Sequence, residues 1–584
     1  IIAAGVNPDA KGMAPKATLH EYRANHGNWL TQKQTTLNAI HSVADNNSWG
    51  YTVGWVADGS TGWEWTDDEE LIGGYSGDLN AVLDHIAFLN GSLMVHASGN
   101  EGDVIGPTNP PYKHNHVNQD DPNFAATTEV YCVSPNGSGT DCVSPCRTGK
   151  DKWGDPYCET SLHPNHAATS SNPGGSVNWL ASGKNIMTVG SVTQSEVISV
   201  FSSRGPARDG RVKPEIVAKG QSLFSTVYTG TSWSTGWRCS AAGASSYACA
   251  AGTSMATPVV TGTTALLVEQ WRKVNGGATP TPQTLKALLI AGADDIGNPG
   301  PDYTHGFGML NAKTSIDLIV ADNGSGNRVK SDKATTGTGF DYPVSVSSTQ
   351  DLRVVLTWFD PEVLPLGVEE VADKTLVNDL DVKIVGPTGI TTLPYILDVN
   401  NPGANASRGV NTVDNTEEVE IKGAAPGQYH VIVTGASVPQ GPTQFVVVSN
   451  ADFATAPPPC IDATEPNDTT PYAIPSGVGI NAAICSATDV DLFSFAATAA
   501  GAVSVRITAT QTPLKATLLT NGSAGVPITI APGATGTLTT TAGAGTTQYI
   551  VRVEPNGALG TSGAYTITAS APFTAGARRR AIHH

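Results

Sequence analysis

The chain has 584 residues and a mass of 60.3 kDa, enough for about three to five domains at roughly 100–200 residues each, with three as the working count. Hydrophobic residues are 39% and charged residues 14%, and the 63 Gly and 38 Pro make it loop-rich without reaching low-complexity composition, so global disorder is excluded. Lys and Arg total 33 against 51 Asp and Glu, a net charge of −18 that repels phosphate backbones and excludes nucleic acid as a natural partner.

No apolar run reaches the roughly 18 residues of a transmembrane helix. The opening Ile1-Ile2-Ala3-Ala4-Gly5 has neither a signal-peptide pattern nor an initiating Met, and reads as the middle of a segment. Residues 1–320 read as an alternating α/β unit. Apolar spacing predicts helices over 35–44 (Leu37, Ile40, Val43) and 78–89 (Leu79, Val82, Leu83, Ile86). Leu93-Met94-Val95 and Ile186-Met187-Thr188-Val189 suit buried parallel strands, so the expected fold is a doubly wound, mostly parallel sheet. The stretch between Gly99 and Asn178 is too long for an ordinary connection and reads as a functional or disulfide-tied loop. It carries Cys132, Cys142, Cys146 and Cys158; Cys239 lies near Cys249, and Cys460 near Cys485. Such grouping suits disulfides in an oxidising compartment, with a zinc site in the four-Cys stretch as the other reading, although no C-x2-C knuckle is present.

After residues 321–327 the pattern turns to short β-branched runs, such as Leu352–Trp358, 380–385 and 428–433. These predict a β-sandwich over 328–453. Residues 454–459 form a Pro-rich linker, 460–571 a second β-module rich in Thr, Ala and Gly, and 572–584 a tail.

The strongest chemical signal is Gly252-Thr253-Ser254-Met255-Ala256-Thr257-Pro258, followed by an apolar helical face of Val259, Val260, Leu266, Leu267 and Trp271. A serine opening a buried helix sits beside free N–H groups and a partial positive charge, which stabilise negative charge developing near its oxygen. Gly252 lets the backbone turn before the helix. Alone, such a serine is more simply a helix cap.

The whole string resembles the nucleophile motif of the subtilisin-like serine peptidases (subtilases). Gly12 to Ala17, Asn47-Ser48-Trp49-Gly50, Ala97-Ser98-Gly99-Asn100, Phe201 to Pro206 and Lys213 to Ala218 are similar to further family segments, in the family's order, over most of 1–315. The resemblance implies that Ser254 attacks the scissile carbonyl and that Asn100 donates to the oxyanion beside the Ser254 backbone N–H. It also implies that Ser48, Trp49 and Gly50, with Ser98 and Gly99, bind an extended polypeptide substrate. The family's triad runs Asp, His, Ser, and its His falls just upstream of Ile1. The expectation is therefore an incomplete triad in a truncated sequence. His20, His26, His41, His96 and His305 are read as ordinary histidines rather than as the base, and the absence of Gly-x-Ser-x-Gly argues against an α/β-hydrolase.

Residues 352–360, 376–381, 414–419 and 438–442 resemble a β-jelly-roll behind some alkaline subtilases. Residues 465–468, 489–495 and 563–565 resemble the bacterial pre-peptidase C-terminal domain. Structural Ca²⁺ is expected at Asp379 with Asp381 and at Asp489 with Asp491, each pair sharing a strand face, with Glu215 a weaker candidate. The alternative is that these are solvated edge acids. The overall expectation is a secreted, monomeric serine endopeptidase acting through an acyl-enzyme, without an organic cofactor. A non-catalytic secreted binding protein on the same scaffold, and a serine esterase, are the competing classes.

Overall fold

The apolar runs of the first half form a four-stranded sheet whose neighbours all run parallel. Its strands, in spatial order, are β1 (Ala44–Asn47), β2 (Leu93–Ala97), β3 (Met187–Val192) and β4 (Ile216–Lys219). Parallel sheets are covered on both faces, and β2 and β3 are buried at every residue. The computed structural model describes residues 1–5, 10–21, 29–50, 54–56, 64–66, 73–77, 79–102, 112–117, 131–133, 175–226, 247–363, 374–453, 471–474, 476–484, 489–510, 512–556 and 564–572. His26 and most of the cysteine-bearing insertion lie outside them; Cys249 lies within and is disulfide-bonded.

Helix α1 (Trp29–Ile40) precedes β1, and α2 (Asn80–Asn90) leads into β2. Helix α1 starts earlier than the apolar spacing predicts, because its buried side is made by Lys33 as well as Leu37. It ends at Ile40, where His41 takes φ 48°. An antiparallel hairpin, β5 (Leu223–Thr226) and β6 (Tyr247–Ala250), comes before the long helix α3 (Thr253–Val274).

Helix α3 lies against all four strands of the sheet. Its buried hydroxyls are satisfied by carbonyls four residues back: Thr257 Oγ1 donates to Thr253 O at 2.8 Å and Thr264 Oγ1 to Val260 O at 2.9 Å. At Gly262 a Cβ would come within 2.6 Å of Met13 Cβ, so glycine lets the N-terminal segment press onto the helix. Helices α4 (Pro282–Ala291) and α5 (Ala312–Asp322) follow, opened by Thr281 and Asn311, whose side chains accept from Thr284 N and Thr314 N.

From residue 329 the chain is mostly β. Strands β7 (Val329–Ala334), β8 (Gln350–Trp358), β9 (Asp379–Val385), β10 (Thr416–Ala424), β11 (Gly427–Ser437) and β12 (Thr443–Ser449) make two layers. One has the order β7-β12-β8-β10, all antiparallel; the other pairs β9 with β11. The chain divides into two compact units, residues 1–338 with 344–453, and 339–343 with 454–584. The α/β region and the first β region thus share a unit. Helix α4 packs on β8 and β12, and Leu285, Leu288 and Leu289 join Val355, Phe359, Val446 and Val448 in one apolar core.

Buried charges reinforce that junction. Lys184 Nζ donates to Asp360 Oδ2 at 2.5 Å, to Thr375 O at 2.7 Å and to Pro361 O, with both ionised side chains wholly buried. Burial pushes the Asp360 carboxyl up, and Lys184 pulls against that. Arg353 Nη2 donates to Phe307 O at 3.0 Å and to Glu418 Oε2 at 2.7 Å. Val212 N donates to Asp414 Oδ1 at 2.8 Å.

In the second unit, β13 (Gly479–Ala483), β14 (Asp491–Ala497), β15 (Gly501–Ala509), β16 (Leu514–Thr520), β17 (Thr535–Ala542), β18 (Thr547–Pro555) and β19 (Ala564–Ser570) form two sheets. Their orders include β14-β18-β16 and β13-β19-β15-β17. Alternating burial in β14 and β15 sends Phe493, Phe495, Val503, Val505 and Ile507 into a separate core. Among the described residues no helix is long and apolar enough to cross a membrane.

Two outcomes test the shared unit. Lys184→Met leaves Asp360 buried without its ammonium, so the first unit loses about 3–5 kcal/mol, read from the urea midpoint of the full chain. A loss below about 1 kcal/mol would show that the junction is not part of the folding unit. Burial raises the Asp414 carboxyl to about 6 despite its hydrogen bonds to Asn411 and Val212. Its proton is therefore held more tightly folded than unfolded. Stability should be highest below pH 4 with respect to this group and fall by roughly 3 kcal/mol as pH rises through 6. Asp414→Asn should flatten that part of the pH profile; an unchanged profile would rule Asp414 out as its cause.

Candidate active site

The site is assembled where β1 and β2 end and α3 begins. Gly252 holds φ 150°, a conformation suited to glycine, and its N–H donates to Gly220 O at 3.0 Å. A Cβ there would lie 3.6 Å from Asn100 Oδ1 and 3.7 Å from Asn100 Nδ2, so the Asn100 amide stands directly beside the turn into α3. Thr253 latches it there. Thr253 N donates to Asn100 Oδ1 at 2.9 Å, and Thr253 Oγ1 lies 3.1 Å from the same oxygen and 3.0 Å from Gly99 O. With Oδ1 accepting these bonds, the amide's donor end, Nδ2, turns away from Thr253.

Ser254 is the second residue of the helix, half-buried, among the backbone N–H groups that have no intrahelical acceptor. Pro258, four residues on, has no N–H to give to the Ser254 carbonyl. The helix N-terminus thus presents Ser254 O–H, free N–H groups and the Asn100 side chain at one place. Negative charge at that place is stabilised by the helix dipole.

Ser98 and Gly99 hold Asn100 from behind. Ser98 is fully buried; its N–H donates to Val189 O at 3.0 Å and its Oγ to Ser203 O at 3.1 Å. Gly99 has φ 114°, and a Cβ there would meet Glu101 Oε2 at 2.4 Å. The Glu101 carboxylate accepts from Asn100 N at 2.6 Å and from Ser203 Oγ at 3.0 Å. Glu101, Ser203 and Thr253 therefore fix the segment, and sequence reasoning assigned none of the three a role. Thr253 and Ser203 stood within recognised strings; Glu101 had no signal beyond following Asn100.

Ser48, Trp49 and Gly50 continue β1. Ser48 Oγ accepts from Asn46 Nδ2 at 3.0 Å, and the Trp49 ring meets Trp29 edge-on at 5.1 Å. A Cβ on Gly50 would reach 2.6 Å from Asn178 Nδ2, while Asn178 N donates to Ser98 O at 2.8 Å. Ser48–Gly50 and Ser98–Asn100 are thereby linked through Asn178.

The described histidines are placed as ordinary ones. His96 is fully buried in β2, and burial first, then Lys33, depresses it to about 3, leaving the ring neutral. His305 Nδ1 lies 3.2 Å from Asp302 Oδ2, and His20 and His41 are exposed. His85, which the sequence reading did not single out, has Nδ1 2.9 Å from Glu362 Oε1.

The candidate metal residues behave differently from one another. Asp379 and Asp381 share a face of β9, and the Oδ1 of each is buried without a hydrogen-bond partner. Burial and then Asp381 raise Asp379 to about 6. Asp489 and Asp491 are buried, and Asp491 accepts from Tyr565 OH. Glu215 is occupied by two buried ammonium groups, Lys213 at 2.7 Å and Lys286 at 2.9 Å, and by Thr188 N at 2.7 Å. Among the described residues no group of three or more His, Cys, Asp or Glu is gathered to hold a metal ion.

The Subtilase family (Peptidase_S8) profile matches residues 1–308. The chain is 31% identical over 268 residues to the serine protease/ABC transporter B family protein tagA of Dictyostelium discoideum, covering 42% of this chain and 15% of that protein. It is 32% identical over 138 residues to serine protease AprX of Bacillus subtilis, covering 22% and 29% respectively. To pyrolysin of Pyrococcus furiosus it is 35% identical over 134 residues, covering 22% and 8%. The matched stretch is therefore a small part of each of these relatives. The solved structure of the patellamide maturation protease PatA is similar over 55% of this chain and 81% of that one, at 18% identity and a TM-score of 0.30. With more than half of its length matched by the family profile, the chain belongs to the subtilase family.

Proposed function

We propose that this chain acts as a secreted serine endopeptidase that cleaves extended polypeptides through an acyl-enzyme on Ser254. One observation carries the reading: the Thr253 bonds to Asn100 Oδ1, which hold that amide beside the N-terminus of α3. On this reading Ser254 Oγ forms a bond to the scissile carbonyl carbon. The carbonyl oxygen takes the negative charge and receives hydrogen bonds from Asn100 Nδ2 and Ser254 N. The Ser254 proton, taken up by a general base, passes to the amine nitrogen as the C–N bond breaks; water then adds to the acyl carbon, and the bond from that carbon to Ser254 Oγ breaks to release the carboxylic acid and restore the hydroxyl. The substrate backbone lies along Ser48–Gly50, with Ser98 and Gly99 on the other side. The general base is assigned to none of the described histidines. His96, in the strand before the Asn100 loop, is wholly buried and neutral.

The β regions enter as proposals too: a jelly-roll over 328–453 and a pre-peptidase C-terminal module over 460–571, the first stabilising the catalytic region it packs against. For calcium, the two buried unpartnered Oδ1 atoms of Asp379 and Asp381 favour a cation at that strand face, completed by carbonyl or water oxygens. The Tyr565 bond to Asp491 makes the second pair a poorer fit.

A small phosphonyl fluoride tests the nucleophile in the protein isolated from its own source. The expected adduct maps to Ser254 and disappears in Ser254→Ala. Asn100→Ala should slow peptide acylation by about 10²–10³, the range taken over from removal of such a donor in a subtilisin. An unlabelled Ser254 would put the binding-protein reading in front, and ester cleavage without peptide cleavage would favour the esterase. Millimolar Ca²⁺ should raise the melting temperature of wild type and much less that of Asp379→Asn/Asp381→Asn; an equal rise in both would remove that site.

A further inference from the structure

Strand β1 carries three polar residues in a row, Asp45, Asn46 and Asn47, where a buried parallel strand ordinarily carries aliphatic ones. Among the described residues of its sheet it pairs with β2 alone. Alternation sends Asp45 and Asn47 to one face and Asn46 to the other. On the first face Lys33 of α1 meets them. Its ammonium donates to the Asp45 carboxylate and to Asn47 Oδ1 at 2.8 Å, while Asn47 Nδ2 donates to Asp45 Oδ2 at 2.8 Å. The ring of three is closed and buried, Lys33 being 0%, Asp45 6% and Asn47 1% exposed. Burial would raise the Asp45 carboxyl, but the charge and hydrogen bond of Lys33 hold it below the ordinary range, so the carboxylate stays ionised. His96, level with Asn47 on β2, is neutral and adds no competing charge.

On the other face Asn46 Oδ1 accepts from Thr261 Oγ1 of α3 at 2.9 Å, and its amide reaches forward to Ser48 Oγ. The next residues are Ser48, Trp49 and Gly50. Trp49 packs edge-on against Trp29, the first residue of the helix that carries Lys33. One helix therefore holds this strand end twice, by an ion pair below it and a ring contact beside it. Aliphatic packing would supply burial, but it is non-directional. An ion pair with two directed amide bonds fixes where the backbone lies.

We infer that Lys33 is a positioning residue: acting through Asp45 and Asn47, it sets the backbone of Ser48–Gly50 on which an extended peptide pairs. This rests on the substrate-edge reading of those three residues. Lys33 touches no substrate; its effect is on peptide recognition rather than on the reactivity of Ser254.

Hydrogen exchange on the full chain tests it without requiring activity. In Lys33→Met the amides of 44–50 should exchange at least about tenfold faster, while 93–97 and 187–192 keep their protection. The double variant Lys33→Met/Asp45→Leu removes the stranded carboxylate, so its fold should recover while 48–50 stay fast. Full recovery of 48–50 in the double variant would overturn the inference, as would an unchanged or uniformly faster exchange in the single one. A second readout uses that double variant. The rate at which a tripeptidyl phosphonate labels Ser254, divided by the rate for a small phosphonyl fluoride, should drop about tenfold. Equal loss with both probes would mean a purely structural role and also overturn it. A wild-type protein inert to both probes strikes the peptidase reading instead, and exchange alone then decides the role of Lys33 in the strand.

Discussion

The two bonds from Thr253 to Asn100 Oδ1 are the constraint on which the site depends. They join the first turn of α3 to the loop that follows β2, two parts of the chain 153 positions apart in sequence. The helix is fixed at its other contacts by the whole parallel sheet, so its N-terminus cannot shift without disturbing the core. The loop is fixed by Glu101 and Ser203. The latch thus registers one rigid element against another, and the amide's donor end inherits that precision. Preorganised donors contribute most when they need not move as charge develops.

Around this latch the first unit buries an unusual number of ionised groups for a chain that is only 14% charged. Lys184 with Asp360, Lys213 and Lys286 with Glu215, Arg353 with Glu418, and Lys33 with Asp45 are all paired inside. Such pairs gain little net stability over apolar packing, because desolvation offsets most of the attraction. What they add is direction. Lys184 takes three acceptors from the β region at once, and an apolar side chain could satisfy none of those carbonyls. The interface is therefore specific in register as well as buried.

The sequence made some of this legible and hid the rest for physical reasons. Strands 93–97 and 187–192 and the helix after Ser254 were readable because their burial follows one-dimensional patterns. The Gly252 position was readable because glycine suits the backbone angle that the turn into α3 needs; Gly99 was named only within a family-like string. Helix α1 was misplaced at its start because its inner face includes Lys33, which no apolar count registers. Asp45, and the role of Asn47 beyond its place in a family-like string, passed unnoticed for the same reason: their partner is a lysine twelve and fourteen residues away, on another element. The expected separation of the α/β and first β regions followed from the change in composition. That change does not show that Leu285, Leu288 and Val446 share a core.

The sheet's direction explains how so many buried charges coexist with a reactive centre. Asn47 and Ala97 end their strands, and Ser48–Gly50 and Ser98–Asn100 follow at the carboxyl ends. Open α/β sheets place ligands outside the carboxyl ends of their strands. Lys184, Asn185, Lys213 and Glu215 instead precede β3 and β4, at the amino ends. The contacts of Lys184 and Asn185 with Asp360 therefore anchor the β region at the end of the sheet away from Ser254. The β region attached there lies clear of the segments Ser48–Gly50 and Ser98–Asn100 at the opposite end. Lys33 and Asp45 are the exception: they bring a buried ion pair up to the carboxyl end, into β1, the strand that runs on into Ser48–Gly50, the segment proposed above to pair with a peptide. There the pair adds from the helix a directed restraint on the strand end, beside the pairing that β2 gives β1 on one side.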